Sequence, residues 1–147
     1  MALLSRYPVQ TDQAQDHSTY LWRDMPDALL TLADGTPLLD RAVLAVQRLS
    51  SSGHWVVPLD VQGQTLYLLA FHASPPVFDG PEDRNGRRNH DETRFWTHFL
   101  DGQFGTPPDG RFVIIGDSNM DPADSEGRPE AMRALLADPR ITDPGPR

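Results

Sequence analysis

The sequence contains no cysteine, no lysine and no long apolar run. Without cysteine the chain can form no disulfide, thiolate metal site or cysteine nucleophile. No apolar stretch reaches the roughly 20 residues that a membrane-spanning helix needs, and no signal peptide is visible. These absences indicate a globular domain whose metal ligands, where it has them, are oxygen or nitrogen atoms.

The charge is strongly one-sided. All 13 basic residues are arginine, and the 21 acidic residues bring the net charge to −8. Biased genome composition with some adaptation to salt explains this balance most simply. An acidic surface repels the DNA backbone, so we do not expect tight non-specific binding to nucleic acid. It also supplies many carboxylates that can hold a divalent cation.

The length of 147 residues predicts one domain, and its apolar runs predict both strands and helices. Strands are predicted over 54–61 and 65–71, joined by a hairpin at 62–64, and over 111–116. The run at 65–71 is apolar on both faces, which is typical of a central strand. Weaker patterns predict a strand over 2–7, a short strand over 28–30 and a helix over 38–49.

A polar stretch separates the second and third strong strands. Residues 77–90 are predicted to form a charged loop that ends where Asn89 caps a helix. That helix carries an apolar stripe, and a last helix is predicted over 129–137 with Pro129 in its first turn. The residues of the stripe are Phe95, Trp96, Phe99 and Leu100.

Two strand ends carry polar side chains suited to chemistry. Asp117 and Asn119 follow a buried run and Gly116; in an extended stretch they would point the same way and hold a hard cation or a phosphoryl oxygen. An Asp- and Asn-rich turn that merely closes the strand is the alternative. His72 follows the other strand, just before two prolines, where an imidazole can protonate a leaving group or bind phosphate.

The order of these segments resembles the endonuclease/exonuclease/phosphatase superfamily. The shared pattern is a strand, His72 with Pro75 three residues later, a helix, and a strand that leads into Gly116-Asp117-x-Asn119-x-Asp121. The stretch from Phe78 to Trp96 is similar to a bacterial, often secreted, subgroup. The resemblance implies an α/β (α+β) fold, part of the four-layer, two-sheet deoxyribonuclease I-like sandwich.

The resemblance also implies roles for individual residues. Asp117 matches the Asp that helps to activate water or holds metal, and Asn119 matches the Asn that contacts the scissile phosphate. His72 matches the His that stabilises the phosphate or assists the leaving oxygen. Asp121 is a second metal candidate. The implied cofactor is Mg²⁺, with Mn²⁺ or Ca²⁺ as substitutes, and the implied reaction is hydrolysis of a phosphodiester or phosphomonoester.

Three arginines in the charged stretch offer a phosphate-binding interpretation. Arg84, Arg87 and Arg88 could hold substrate through bidentate hydrogen bonds. Their acidic neighbours favour a solvated loop with local ion pairs instead. A structural Ca²⁺ loop over 117–126 is disfavoured, since the Asp-x-Asp-x-Asp-Gly pattern is missing.

The same resemblance implies that residues 1–147 form a partial domain. The family's amino-terminal Asn and metal-binding Glu would precede residue 1, and its carboxy-terminal Asp–His pair would follow residue 147. We therefore expect exposed sheet edges through which copies associate. A secreted or periplasmic location fits the bacterial subgroup. The alternative function is a non-catalytic fragment or pseudo-enzyme of the same fold.

Overall fold

A mixed α/β architecture is seen in the computed structural model, which describes residues 1–124 and 126–145. The described residues form one four-stranded sheet, in the order in which the strands occur along the chain, together with three α-helices. The strands are β1 (Gln15–Asp16), β2 (His54–Val61), β3 (Gln64–His72) and β4 (Arg111–Asp117), and the helices are α1 (Arg41–Leu44), α2 (Arg84–Leu100) and α3 (Glu130–Leu136).

β2 and β3 form an antiparallel hairpin that confirms the sequence prediction. The hairpin closes at the pair Val61↔Gln64, so its loop has two residues, Gln62 and Gly63. Both have positive φ, 56° and 80°, which matches the right-handed twist of the strands that they join. Asp60 Oδ1 accepts a 2.7 Å hydrogen bond from Gly63 N and closes the turn further.

β4 lies beside β3 in parallel, and α2 makes the crossover between them. Its apolar stripe packs on the sheet as predicted, but the helix begins at Arg84 rather than after Asn89. The predictions of a loop as far as residue 90 and of Asn89 as a cap are therefore wrong. Asn89 lies within the helical segment and is completely buried. Its side chain donates to Ser74 O and Ser118 O, and the spacing of residues in the sequence does not reveal these distant partners.

The core lies between α2 and one face of the sheet. Phe95 makes ring contacts with Trp96, Phe104 and His54 at 4.6–5.2 Å between centroids. Burial of each large apolar side chain contributes on the order of 2 kcal/mol. The described part of the chain contains no helix long and apolar enough to cross a membrane. Fully buried side chains include Trp22, Trp96, Phe95, Phe99, Leu49, Leu69 and Val56.

The elements predicted from the weaker sequence patterns differ from those in the structure. Residues 2–7 form no strand, because the free edge of β2 pairs instead with β1 and hydrogen-bonds to residues 8–10, and Leu4 is 98% exposed. Residues 28–30 form no strand either. The helix predicted over 38–49 shrinks to Arg41–Leu44, since its residues are mostly exposed and bury no stripe that would stabilise it. The last helix is confirmed at Glu130–Leu136.

β4 forms one edge of the sheet, and no strand within the described residues pairs with its outer side. Val113 and Ile115 on this strand are 44% and 48% exposed. An unpaired apolar strand is a template for pairing with another chain. Association through this edge stays a prediction.

The buried imidazole of His54 gives the fold a testable response to pH. Its Nε2 donates to Glu92 O at 2.8 Å, and burial lowers its pKa from 6.5 to about 4. The folded form thus binds fewer protons than the unfolded form. The contribution of His54 to the free energy of unfolding is therefore present above pH 6.5 and is lost as pH falls towards 4. We expect His54 to account for about 2 kcal/mol of lost unfolding free energy between pH 7 and pH 5.

Urea denaturation of wild type and His54→Gln at both pH values measures this contribution. Glutamine retains an N–H donor but does not titrate, so the variant should lose less stability on acidification than wild type. Equal losses in the two proteins would contradict a buried, neutral His54.

Candidate functional site

The carboxyl ends of β3 and β4 bring two of the predicted site residues together. Parallel pairing places His72 directly opposite Asp117, with Nε2 3.8 Å from Asp117 Oδ2. Both side chains are open to solvent, 45% exposed for His72 and 62% for Asp117. An imidazole and a carboxylate therefore face a common solvent-accessible space where a ligand can reach both.

Gly116 permits the close approach of the two strands just before these residues. It has φ +142°, and a Cβ at this position would lie 1.8 Å from the carbonyl oxygen of Phe71. That atom belongs to the backbone of the neighbouring strand, so it cannot move aside as a side chain could. Only glycine fits here without displacing the end of one strand from the other.

Asn119 is also brought to this end of the sheet, but not by an extended chain. Asp117 Oδ1 accepts the backbone N–H of Asn119 at 2.9 Å, and Asn119 has φ 47°. The expectation that the two side chains project side by side from an extended stretch is wrong; the turn alternative describes the geometry, because Asn readily adopts positive φ. The turn directs Asn119 Nδ2 to Ala73 O, 2.9 Å away, beside His72.

Asp121 closes the following turn. Its Oδ1 accepts the backbone N–H groups of Ala123 and Asp124 at 2.7 and 3.1 Å, and these bonds lower its pKa. Within residues 1–124 and 126–145, no three His, Asp or Glu side chains cluster as a metal site. Asp121 as a metal ligand stays a prediction. The disfavoured Ca²⁺ loop over 117–126 includes Ser125, which lies outside the described residues.

Arg84, Arg87 and Arg88 lie in the first two turns of α2 rather than in a loop. Arg84 Nη2 donates to the Gln47 side chain at 3.0 Å, while the other two donate to main-chain carbonyls. These contacts fasten distant segments to the helix, and a role in substrate binding stays a prediction. The acceptors are the carbonyls of Glu82, Leu29 and Thr31 for Arg87, and of Arg48 and Leu49 for Arg88, at 2.8–3.3 Å.

The sequence did not reveal that two buried residues of α2 contact the loops at the candidate site. Asn89 and Glu92 are 0% exposed and hydrogen-bond to the loops that follow β3 and β4. Burial raises the pKa of Glu92, opposed by hydrogen bonds from Ser74 and Ser51 and by the charge of Arg88. The available signal was spacing: Glu92 lies three and four residues before Phe95 and Trp96, which places a carboxylate on the buried face.

The model of the endonuclease/exonuclease/phosphatase family matches residues 1–147. The chain belongs to this family. Its members are generally hydrolytic and usually depend on a divalent metal. The predicted membership is confirmed, and so is the fold class, since the sheet and helices form a mixed α/β structure consistent with part of the deoxyribonuclease I-like fold.

Among solved structures, the chain is similar to sphingomyelinase C from Streptomyces griseocarneus. The two are 23% identical with a TM-score of 0.43, over 58% of this chain and 27% of that one. The match thus spans about a quarter of the length of that enzyme. A search of curated proteins gave no significant match.

An apolar groove lies next to the candidate site. Its volume is about 550 Å³, and it runs between β4, α3 and residues 140–144. Gly116 and Ser118 contribute to its wall, whereas His72, Asp117 and Asn119 are not among the described residues that line it. The groove is therefore a neighbour of the candidate site rather than part of it.

The close approach at Gly116 predicts a large cost for a single methyl group. Gly63 provides a matched control, because it also has positive φ (+80°) but a Cβ there meets nothing within 4 Å. Conformational strain alone should cost Gly63→Ala about 1–2 kcal/mol of unfolding free energy. We expect Gly116→Ala to lose several kcal/mol, on the order of 3 or more, because strain and a backbone clash add.

Thermal and urea unfolding of the two variants, followed by circular dichroism, measure the difference. Equal losses of stability would show that β3 and β4 are not held as closely as the structure has them.

Proposed function

We propose that this chain carries the catalytic edge of a metal-dependent phosphoesterase that hydrolyses a phosphodiester or phosphomonoester by in-line attack of water. The observation that carries the proposal is the meeting of His72 and Asp117, 3.8 Å apart, with Asn119 anchored beside them. An imidazole, a carboxylate and an amide at one exposed sheet end supply proton transfer, charge and hydrogen bonding. Family membership supports the same reaction class.

Each side chain then has a distinct task. Protonated His72 donates its proton to the departing oxygen, since its half-exposed ring is accessible to substrate. Asn119 uses one amide N–H on Ala73 O and keeps a second N–H for a phosphoryl oxygen. Asp117 holds the turn through Oδ1, while its other oxygen faces the space beside His72.

Asp117 fits the cation that the family usually requires. It is an exposed carboxylate, the donor type that Mg²⁺ prefers, and Mg²⁺ is commonly held by one or two carboxylates together with water and phosphate. Asp121 is the second candidate ligand, four residues further along. When bound, such a cation polarises the phosphoryl group and lowers the pKa of water. Mn²⁺ or Ca²⁺ would use the same oxygen atoms.

The charge of the chain favours a small substrate. A net charge of −8 repels a long polyanion, so a small phosphoester or a lipid headgroup suits this surface better than extended DNA. Arg84, Arg87 and Arg88 remain candidate contacts, although each already donates to oxygen atoms of the protein. A substrate phosphate would have to share these guanidinium groups with their present acceptors.

A non-catalytic fragment or pseudo-enzyme is the second candidate. The observation that favours it is the sparse donor set: the described residues bring no three metal-binding carboxylates or imidazoles together. A single well-placed carboxylate binds a cation weakly. Under this alternative, residues 1–147 are a partial domain that does not turn over alone.

Substitution of Asp117 separates the two candidates. Asp117→Asn keeps an oxygen acceptor for Asn119 N but removes the charge, so the turn should persist. We expect hydrolysis of bis-p-nitrophenyl phosphate with Mg²⁺ or Mn²⁺ to fall at least about 100-fold, since charge at the metal and phosphate is lost. The rate is followed by release of p-nitrophenolate.

Asp40→Ala is the control, because Asp40 is exposed and makes no side-chain cap to its helix. Its rate should match wild type. Full activity in Asp117→Asn would refute the assignment of Asp117, and no activity in wild type would favour the non-catalytic alternative.

A further inference from the structure

The two loops that follow β3 and β4 beside the candidate site are both attached to the buried polar face of α2. Asn89 Nδ2 donates to Ser74 O at 2.7 Å and to Ser118 O at 2.8 Å. Ser74 lies two residues after His72, and Ser118 directly follows Asp117. One amide group therefore links the segment after β3 to the segment after β4, at the point where the strand ladder between them has ended.

Glu92, three residues along the same helix, completes the attachment. Its Oε2 accepts Ser74 N at 2.6 Å and its Oε1 accepts Ser51 N at 2.6 Å. Ser74 is thus held through both of its backbone polar groups, the N–H by Glu92 and the carbonyl by Asn89. Ser51 in turn donates its hydroxyl to the carbonyl oxygen of His72 at 3.1 Å.

Both side chains of this attachment are polar groups that are buried at a desolvation cost. Both are 0% exposed, and Asn89 Oδ1 has no hydrogen-bond partner within the described residues. A buried, unsatisfied amide oxygen and a buried carboxylate both carry a desolvation cost, while removal of either side chain would leave the backbone groups that it binds without that partner. Polar groups in this position fix the geometry of the loops that they bind.

We propose that Asn89 and Glu92, here called the α2 clamp, are positioning residues that set the distance of His72 from Asp117 and Asn119. The inference rests on the proposed function for its catalytic consequence, but its geometric content stands independently. A displacement of about 1 Å at a reacting group can cost on the order of 100-fold in rate. The clamp acts through Ser74 and Ser118 and does not itself touch substrate.

The neighbouring Asp91 gives a matched control on the same helix. It is also a 0% exposed carboxylate, and its Oδ2 accepts a backbone N–H, that of Leu29, at 2.8 Å and the Trp22 indole at 2.6 Å. Its Oδ1 contacts His90 Nδ1 at 2.9 Å, and none of these three partners belongs to the loops that follow β3 and β4. Asp91→Asn therefore perturbs a buried carboxylate and a loop attachment without altering the α2 clamp.

The test compares Asn89→Ala and Glu92→Gln with Asp91→Asn by two-dimensional amide NMR and by steady-state kinetics. In both clamp variants, the amide signals of His72 and Asn119 should shift and kcat should fall at least tenfold, with a smaller change in KM. In Asp91→Asn, those signals should keep their positions and kcat should stay within twofold of wild type, even where its melting temperature falls.

The NMR result decides the inference whether or not the chain hydrolyses phosphoesters. Absence of wild-type turnover would remove the proposed function, while shifted His72 and Asn119 signals would still support the clamp. Unchanged signals in a folded clamp variant would overturn it. So would clamp variants that both fail to fold while Asp91→Asn folds, since the pair would then serve folding rather than positioning. Glu92→Gln, which keeps its volume and one acceptor oxygen, is the variant better able to fold.

Discussion

The parallel pairing of β3 with β4 is the constraint on which the rest of this end of the molecule depends. The pair His72↔Asp117 is the last in its register, so an imidazole and a carboxylate from residues 45 positions apart meet where the sheet ends. A shift of one residue in either strand would send one of these side chains to the opposite face. Gly116 keeps the two backbones close enough for that register to persist to the last pair.

α2 connects this local constraint to the core. Its apolar stripe buries Phe95, Trp96 and Phe99 against the sheet, which fixes the helix relative to both strands. Its polar residues then reach the loops beyond the strand ends. The helix thus combines two energetic roles, because the free energy gained by burial of its aromatic side chains offsets the cost of burying Asn89 and Glu92.

Sequence reasoning recovered what is locally encoded and missed what depends on distant partners. The strands predicted over 54–61 and 111–116 are confirmed, since long apolar runs between turn residues specify them. Residues 2–7 look equally strand-like, but the free edge of β2 with which they would pair is occupied by β1 and by residues 8–10. The residue type of Asn89 favours a helix cap, and only the folded chain shows its side chain between Ser74 and Ser118.

The central claim is that the ends of β3 and β4 meet at one place that can bind a cation and a phosphoryl group. This claim can be tested by a binding measurement that needs no catalytic activity. Mn²⁺ titrated into ¹⁵N-labelled protein broadens the amide signals nearest to it. Convergence predicts that His72, Asp117 and Asn119 broaden first and together, and that Asp117→Asn abolishes the effect. Broadening of distant carboxylates alone, or broadening of Asp117 without His72 and Asn119, would contradict a shared site.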